Sequence, residues 1–130
     1  MADCYCGLKL HYSDCCEPYH NTSKLAQTAE VLMRSRYSAF VVKHVDYLLA
    51  TWDATKCPAN LNLSNDTTVW LRLEIIRCHK GRETHSQGTV EFKAYYQQDG
   101  QHFVLHEISR FKKNQGTWLY IDGATKVSEQ

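Results

Sequence analysis

The 130-residue chain has only two prolines and six glycines, too few for a collagen-like, low-complexity or linker-dominated sequence. It also lacks any run near the ~20 consecutive apolar residues that a membrane-spanning helix needs. Its start, Met1-Ala2-Asp3-Cys4, has neither the basic nor the apolar region of a secretion signal. The expected location is the cytosol, with no membrane partner. Net charge is scarce as well: 15 Lys and Arg against 14 Asp and Glu leave +1, no field to draw the chain onto nucleic acid or lipid. A CxxC pair of the kind that redox enzymes use is also missing.

What is present fits one domain with its own core. The hydrophobic share is 43% and the charged share 22%, ordinary values for a folded protein of this length. Four of the six cysteines crowd into CYCGLKLHYSDCC, where Cys4, Cys6, Cys15 and Cys16 follow the spacing CxCx8CC. In a reducing compartment such a cluster points to metal rather than disulfides. Two thiolate pairs joined by an eight-residue loop can close the tetrahedral four-sulfur shell of a structural zinc ion. Gly7 suits a sharp turn around the metal, and Tyr12 is placed to shield the sulfurs. Lys9 and His11 are candidates to offset the charge of about minus two. Neighbouring Cys15 and Cys16 would bridge each other poorly. Cys57 and Cys78 have no such partners and read as small buried hydrophobes.

Beyond a polar connection over Glu17 to Ser23, Met33, Tyr37, Phe40 and Val41 recur at helical spacing and predict a helix from about Ala29 to Lys43. Asp46 can open a second helix whose apolar face is Tyr47, Leu48, Leu49 and Trp52. Asp53 to Thr67 reads as a loop. Four runs rich in β-branched and aromatic residues follow: Thr68 to His79, Ser86 to Gln98, His102 to Lys113 and Thr117 to Asp122. Gly81, Gly100 and Gly116 mark the turns between them. The expected fold is α+β, helices packed on a curved four-stranded antiparallel sheet that wraps into an open-mouthed cone.

Two resemblances sharpen this picture. CxCGx8CC with Tyr12 in its loop resembles the SEC-C zinc motif, first recognised at the C-terminus of the SecA preprotein translocase, whose usual form is CPCGSGKKYKKCC. Here Tyr5 replaces the proline and most of the loop lysines are gone. Pro18-Tyr19, LMRSRYSAF over Leu32 to Phe40, SRF over Ser109 to Phe111 and WLYIDG over Trp118 to Gly123 are similar to the YchJ family of bacterial proteins. That resemblance implies a zinc knuckle over 1–20 and a nuclear transport factor 2-like body over 21–130. It implies no established activity.

In the body, polar candidates come from the first long helix and the last two strands. By two-residue alternation Glu107, Ser109 and Phe111 share one face, His106, Ile108 and Arg110 the other, and Trp118, Tyr120 and Asp122 share a face. Glu107 with Tyr120, or else His106, would be the catalytic groups if the cone were an acid–base enzyme. The competing reading has Arg34 or Arg36 ion-paired with Glu107 or Asp122 as architecture. Asp122-Gly123 reads as a strand end and turn. His20, His44, His79, His85 and His102 read as exposed, solvated imidazoles.

The leading reading is a non-enzymatic module that binds structural zinc and docks a protein partner through its knuckle, as the SEC-C resemblance implies. A small pocket enzyme with an isomerase- or hydratase-like reaction on a small-molecule ligand is the alternative. Binding to nucleic acid or the ribosome is the weakest reading, since charge and loop lysines are missing.

Overall fold

The structure is a computed structural model and describes residues 4–130; residues 1–3, the start of the expected knuckle, lie outside the described residues. Apolar periodicity near 3.6 between Ala29 and Val41 produces the long helix, and the break in that pattern ends it. The elements are α1 (Glu17–His20), α2 (Ala29–Val42), α3 (Val45–Ala50), β1 (Val69–Lys80), β2 (Gln87–Gln98), β3 (Gln101–Asn114) and β4 (Thr117–Glu129). The strands form one antiparallel sheet in the order β1-β2-β3-β4.

Thr28 caps α2, its hydroxyl accepting from Val31 N at 3.1 Å, and Lys43 closes the helix in the left-handed conformation at φ 60°. The cap of α3 is His44, whose Nδ1 accepts from Tyr47 N at 3.2 Å, and not Asp46, which sits within the first turn. The helix entry is tight against the β1–β2 turn, with Ala29 N donating to Gly81 O at 2.9 Å. A Cβ on Gly81 would stand 2.8 Å from the Ala29 Cβ, so this crossing requires a glycine.

Helix α2 lies across the inner face of the sheet and touches β1, β2 and β4. Leu32, Met33 and Tyr37 from the helix meet Val90, Phe92, Ala94, Phe111 and Trp118 from the strands in one buried core. The Trp118 indole N–H donates to Gln27 O at 3.1 Å, so its one polar atom is satisfied. Beyond α3 the chain is stitched to β4: Tyr120 N donates to Thr51 O at 2.8 Å, and Asp53 N donates to Tyr120 O at 2.7 Å. The supposed loop therefore begins as an extra wall of the body.

The first three strands lie within one residue of their expected bounds, but β4 runs on to Glu129. Asp122-Gly123 is thus strand interior, not an end and turn. A bulge at this point pairs Phe111 with Tyr120 and Arg110 with Asp122, leaving Ile121 as an extra residue on β4. The insertion breaks the expected alternation: Tyr120 faces inward, whereas Asp122 faces outward beside Arg110.

Two smaller readings are corrected as well. Glu17 to His20 is a short helix, opened by Pro18, a residue preorganised for a first turn. Cys57 is half-buried and Cys78 exposed; the Cys78 thiol sits at an open margin of the sheet, 3.5 Å from Glu30 Oε1.

Candidate functional site

The four knuckle cysteines are all buried, and their Sγ atoms lie within 4.8 Å of one another. Gly7 turns the chain at φ 93°, and Cys4 N donates to Leu10 O at 2.6 Å to close the loop. Four sulfurs bound about 2.3 Å from one zinc ion would stand about 3.8 Å apart, so the donor set and its spread suit a tetrahedral ion. Without an ion, the thiols compete for one negative charge. A hydrogen bond from the Cys16 thiol pulls Cys6 down to about 5, while burial pushes Cys15 up to about 12. Cys16 is pushed up by its hydrogen bond to Cys6 and then by burial. A divalent cation would remove that competition by supplying positive charge to all four. The cluster can therefore hold a metal ion.

The knuckle is fastened to the body by residues outside the ligand set. His20 is only 4% exposed, not solvated as its place in a polar stretch suggested. Its Nε2–H donates to Ser35 O at 2.8 Å, which leaves Nδ1 to accept from the Tyr12 hydroxyl at 2.6 Å. Burial is the main cause that lowers its pKa, so the neutral ring is favoured. Tyr12 packs on the cysteine cluster, so its hydroxyl connects the cysteine loop through His20 to α2. Arg34 makes a second fastening: Nη1 donates to Cys6 O at 2.7 Å, and Nε pairs with Glu30 at 2.9 Å.

Those contacts overturn the expected architectural ion pair. Arg34 serves the knuckle, and Asp122 pairs with Arg110 at 2.6 Å on the outer surface. Arg36 makes no ion pair among the described residues. It is 3% exposed, and its Nη1 donates to Leu48 O at 2.8 Å and Thr51 Oγ1 at 2.7 Å. Its guanidinium lies 4.6 Å from the Tyr120 ring centre and 5.0 Å from that of Trp52. Burial pulls its pKa down to about 10.

Arg36, Glu107, Ser109 and Tyr120 converge on a cavity of about 240 Å³ between α2 and the inner sheet face. Ser109 donates to Glu107 Oε2, the Tyr120 hydroxyl donates to the same oxygen at 3.3 Å, and Thr125 donates to Oε1 at 2.8 Å. Burial, followed by the Glu107 charge, raises the Tyr120 pKa. His106 is on the opposite face, with Nε2 2.7 Å from Glu91 Oε2, and takes no part in this cavity.

Two contributors escaped the sequence reading. Trp52 lines the cavity, although it reads as the apolar face of a helix. Gly123, paired with Ser109, makes room for the Glu107 carboxylate: a Cβ there would lie 2.6 Å from Glu107 Cδ. A glycine followed by the strand-like Thr125 and Val127 was the available signal for such a close approach.

The family model described as "YchJ, middle NTF2-like domain" matches residues 28–123. A UPF0225 protein of Vibrio cholerae is 43% identical over 123 residues, covering 92% of this chain and 81% of the relative. A UPF0225 protein of Bordetella pertussis is 44% identical over 124 residues, covering 94% and 92%. The solution structure of a SEC-C motif containing protein from Rhodopseudomonas palustris superposes with a TM-score of 0.84 at 32% identity, covering 94% of this chain and 97% of that one. The crystal structure of a SEC-C motif containing protein from Psychrobacter arcticus gives 0.77 at 30% identity, covering 92% and 80%. With a SEC-C-like cysteine cluster preceding an NTF2-like body in the same order, the chain belongs to the YchJ family of UPF0225 proteins.

Proposed function

We propose that the cysteine cluster holds one structural zinc ion and that the knuckle so fixed docks an apolar segment of a protein partner. On this reading residues 1–20 form the docking element and 21–130 the body that carries it. A tetrathiolate site needs reduced thiols, which supports a cytosolic location. The single observation behind the docking role is the exposure of Tyr5, Leu8 and Leu10, at 48%, 40% and 52%, on the very loop whose cysteines are buried. A loop this small has no core of its own to bury them, and clustered exposed apolar side chains are the usual mark of an interaction surface.

The metal is tested by elemental analysis of chelator-free protein, expected to give one zinc per chain and a loss in Cys15→Ser. Full metal retention in that variant would remove the four-thiolate assignment. Docking is tested with a photoreactive residue at position 10 and, as a control, at the outer-face Ile108. A defined protein crosslinked from position 10 alone, and lost when Tyr5 and Leu8 are changed to serine in a folded, zinc-replete chain, supports the reading. Equal crosslinking from both positions defeats it.

A second reading, acid–base chemistry on a small molecule with Glu107 as base, draws on that carboxylate lining a cavity without an arginine partner. Three hydroxyls already occupy most of its lone pairs, which favours a binding role over catalysis.

A further inference from the structure

The cavity in the body is nearly all apolar except at one end. Tyr37, Phe40, Trp70, Phe92 and Leu105 form its sides, and Arg36, Trp52 and Tyr120 form the polar end together with Ser109 and Glu107, whose carboxylate is held by three hydroxyls. Arg36 is the anomaly. A guanidinium this deeply buried ordinarily meets a carboxylate, yet its protein contacts are two acceptors on Nη1 and two aromatic faces. No acceptor among the described residues takes a hydrogen bond from its Nε or Nη2. Beside it, the indole N–H of Trp52 is buried without an acceptor among the described residues, an uncommon state for a native donor. Glu107 does not answer this demand: Tyr120 touches both groups, its ring under Arg36 and its hydroxyl on Glu107.

We propose that this cavity binds a small aromatic carboxylate, with the acid group on the free N–H groups of Arg36 and the ring among Tyr37, Phe40 and Trp70. The aromatic walls suit a flat ring, which gains from offset and edge-on contacts. Size limits the ligand. A cavity of about 150 Å³ accommodates benzene, so about 240 Å³ has room for one substituted ring but falls short of the roughly 300 Å³ at which drug-sized sites begin. An Arg fork matches the planar, two-oxygen geometry of a carboxylate. The proposal is independent of what docks on the knuckle.

The test is a titration of the zinc-loaded, nitrogen-15-labelled full chain with benzoate, toluene and benzylamine, reading the Arg36 Nε–H and Trp52 Nε1–H resonances. Benzoate is expected to shift both saturably, with a Kd on the order of 1 mM for so few heavy atoms, and to bind at least about tenfold more tightly than either comparison molecule. Ala94→Leu, which fills the cavity away from the polar end, should abolish the shifts. Arg36→Met should erase the preference for benzoate over toluene; if that variant does not fold, the three-ligand contrast and Ala94→Leu still decide. Equal affinity for toluene or benzylamine, no saturable shift at about tenfold above the expected Kd, or shifts that survive in a folded Ala94→Leu would each overturn the proposal.

Discussion

Gly123 leaves the space that the Glu107 carboxylate occupies. The two residues sit on neighbouring strands, and a Cβ on Gly123 would lie 2.6 Å from Glu107 Cδ. Gly123→Ala is therefore expected to cost about 1–3 kcal/mol as an overpacking change. In a Glu107→Ala background most of that cost should vanish, because the obstructed group is gone. Denaturant midpoints of the four proteins in the cycle provide the check; additive effects would show that the two residues do not compete for this space.

Tyr12→Phe should separate fastening from ligation. It removes the hydroxyl that donates to His20 Nδ1 but none of the four sulfurs. The buried imidazole nitrogen loses its donor, at an expected cost of about 1–3 kcal/mol. Zinc per chain should stay at the wild-type level by elemental analysis, with thermal stability reduced.

Arg34→Met should loosen the metal loop from the other side, since Arg34 Nη1 holds Cys6 O at 2.7 Å. Groups that orient ligands commonly contribute about 10–100-fold to metal affinity. A competition titration against a chromophoric chelator should reveal a loss in that range. Unchanged zinc affinity would mean that the loop holds its shape alone.

The acid limb of stability should depend on Asp53. The Thr55 hydroxyl, followed by Lys112 at 3.0 Å, keeps its carboxyl below the usual aspartate range. A pKa lowered on folding stabilises the protein above the unfolded value, about 3.9, and that contribution disappears as pH falls through the folded value. Asp53→Asn should thus be less stable than wild type at pH 7, with the difference closing below about pH 4. Urea melts at several pH values would show the convergence; a pH-independent gap would mean that another property of Asp53 matters.

The legible parts of the molecule were those with a local pattern. Helix α2 follows from a spacing of 3.6, the first three strands from runs rich in β-branched and aromatic residues between glycine turns, and the four ligand candidates from CxCx8CC. His20 was not legible, because its burial depends on Tyr12 and on Ser35 O fifteen residues ahead, contacts that no window around it contains. Arg34 and Arg36 look alike on the helix, two residues apart. A rotation of about 200° between them sends one to the knuckle and the other to the cavity. Trp52 was assigned to helix packing because the bridge that lays it beside Tyr120 joins positions 68 residues apart.

The extra residue at Ile121 gives β4 a property of parity. Strands count in twos, so one insertion reverses the sense of every position after it. Were the same residues paired one to one with no bulge, Ile121 would oppose Arg110 and the Asp122 carboxylate would stand opposite Ser109, where Gly123 now leaves room for Glu107. The one unpaired residue thus keeps two acids out of one small space.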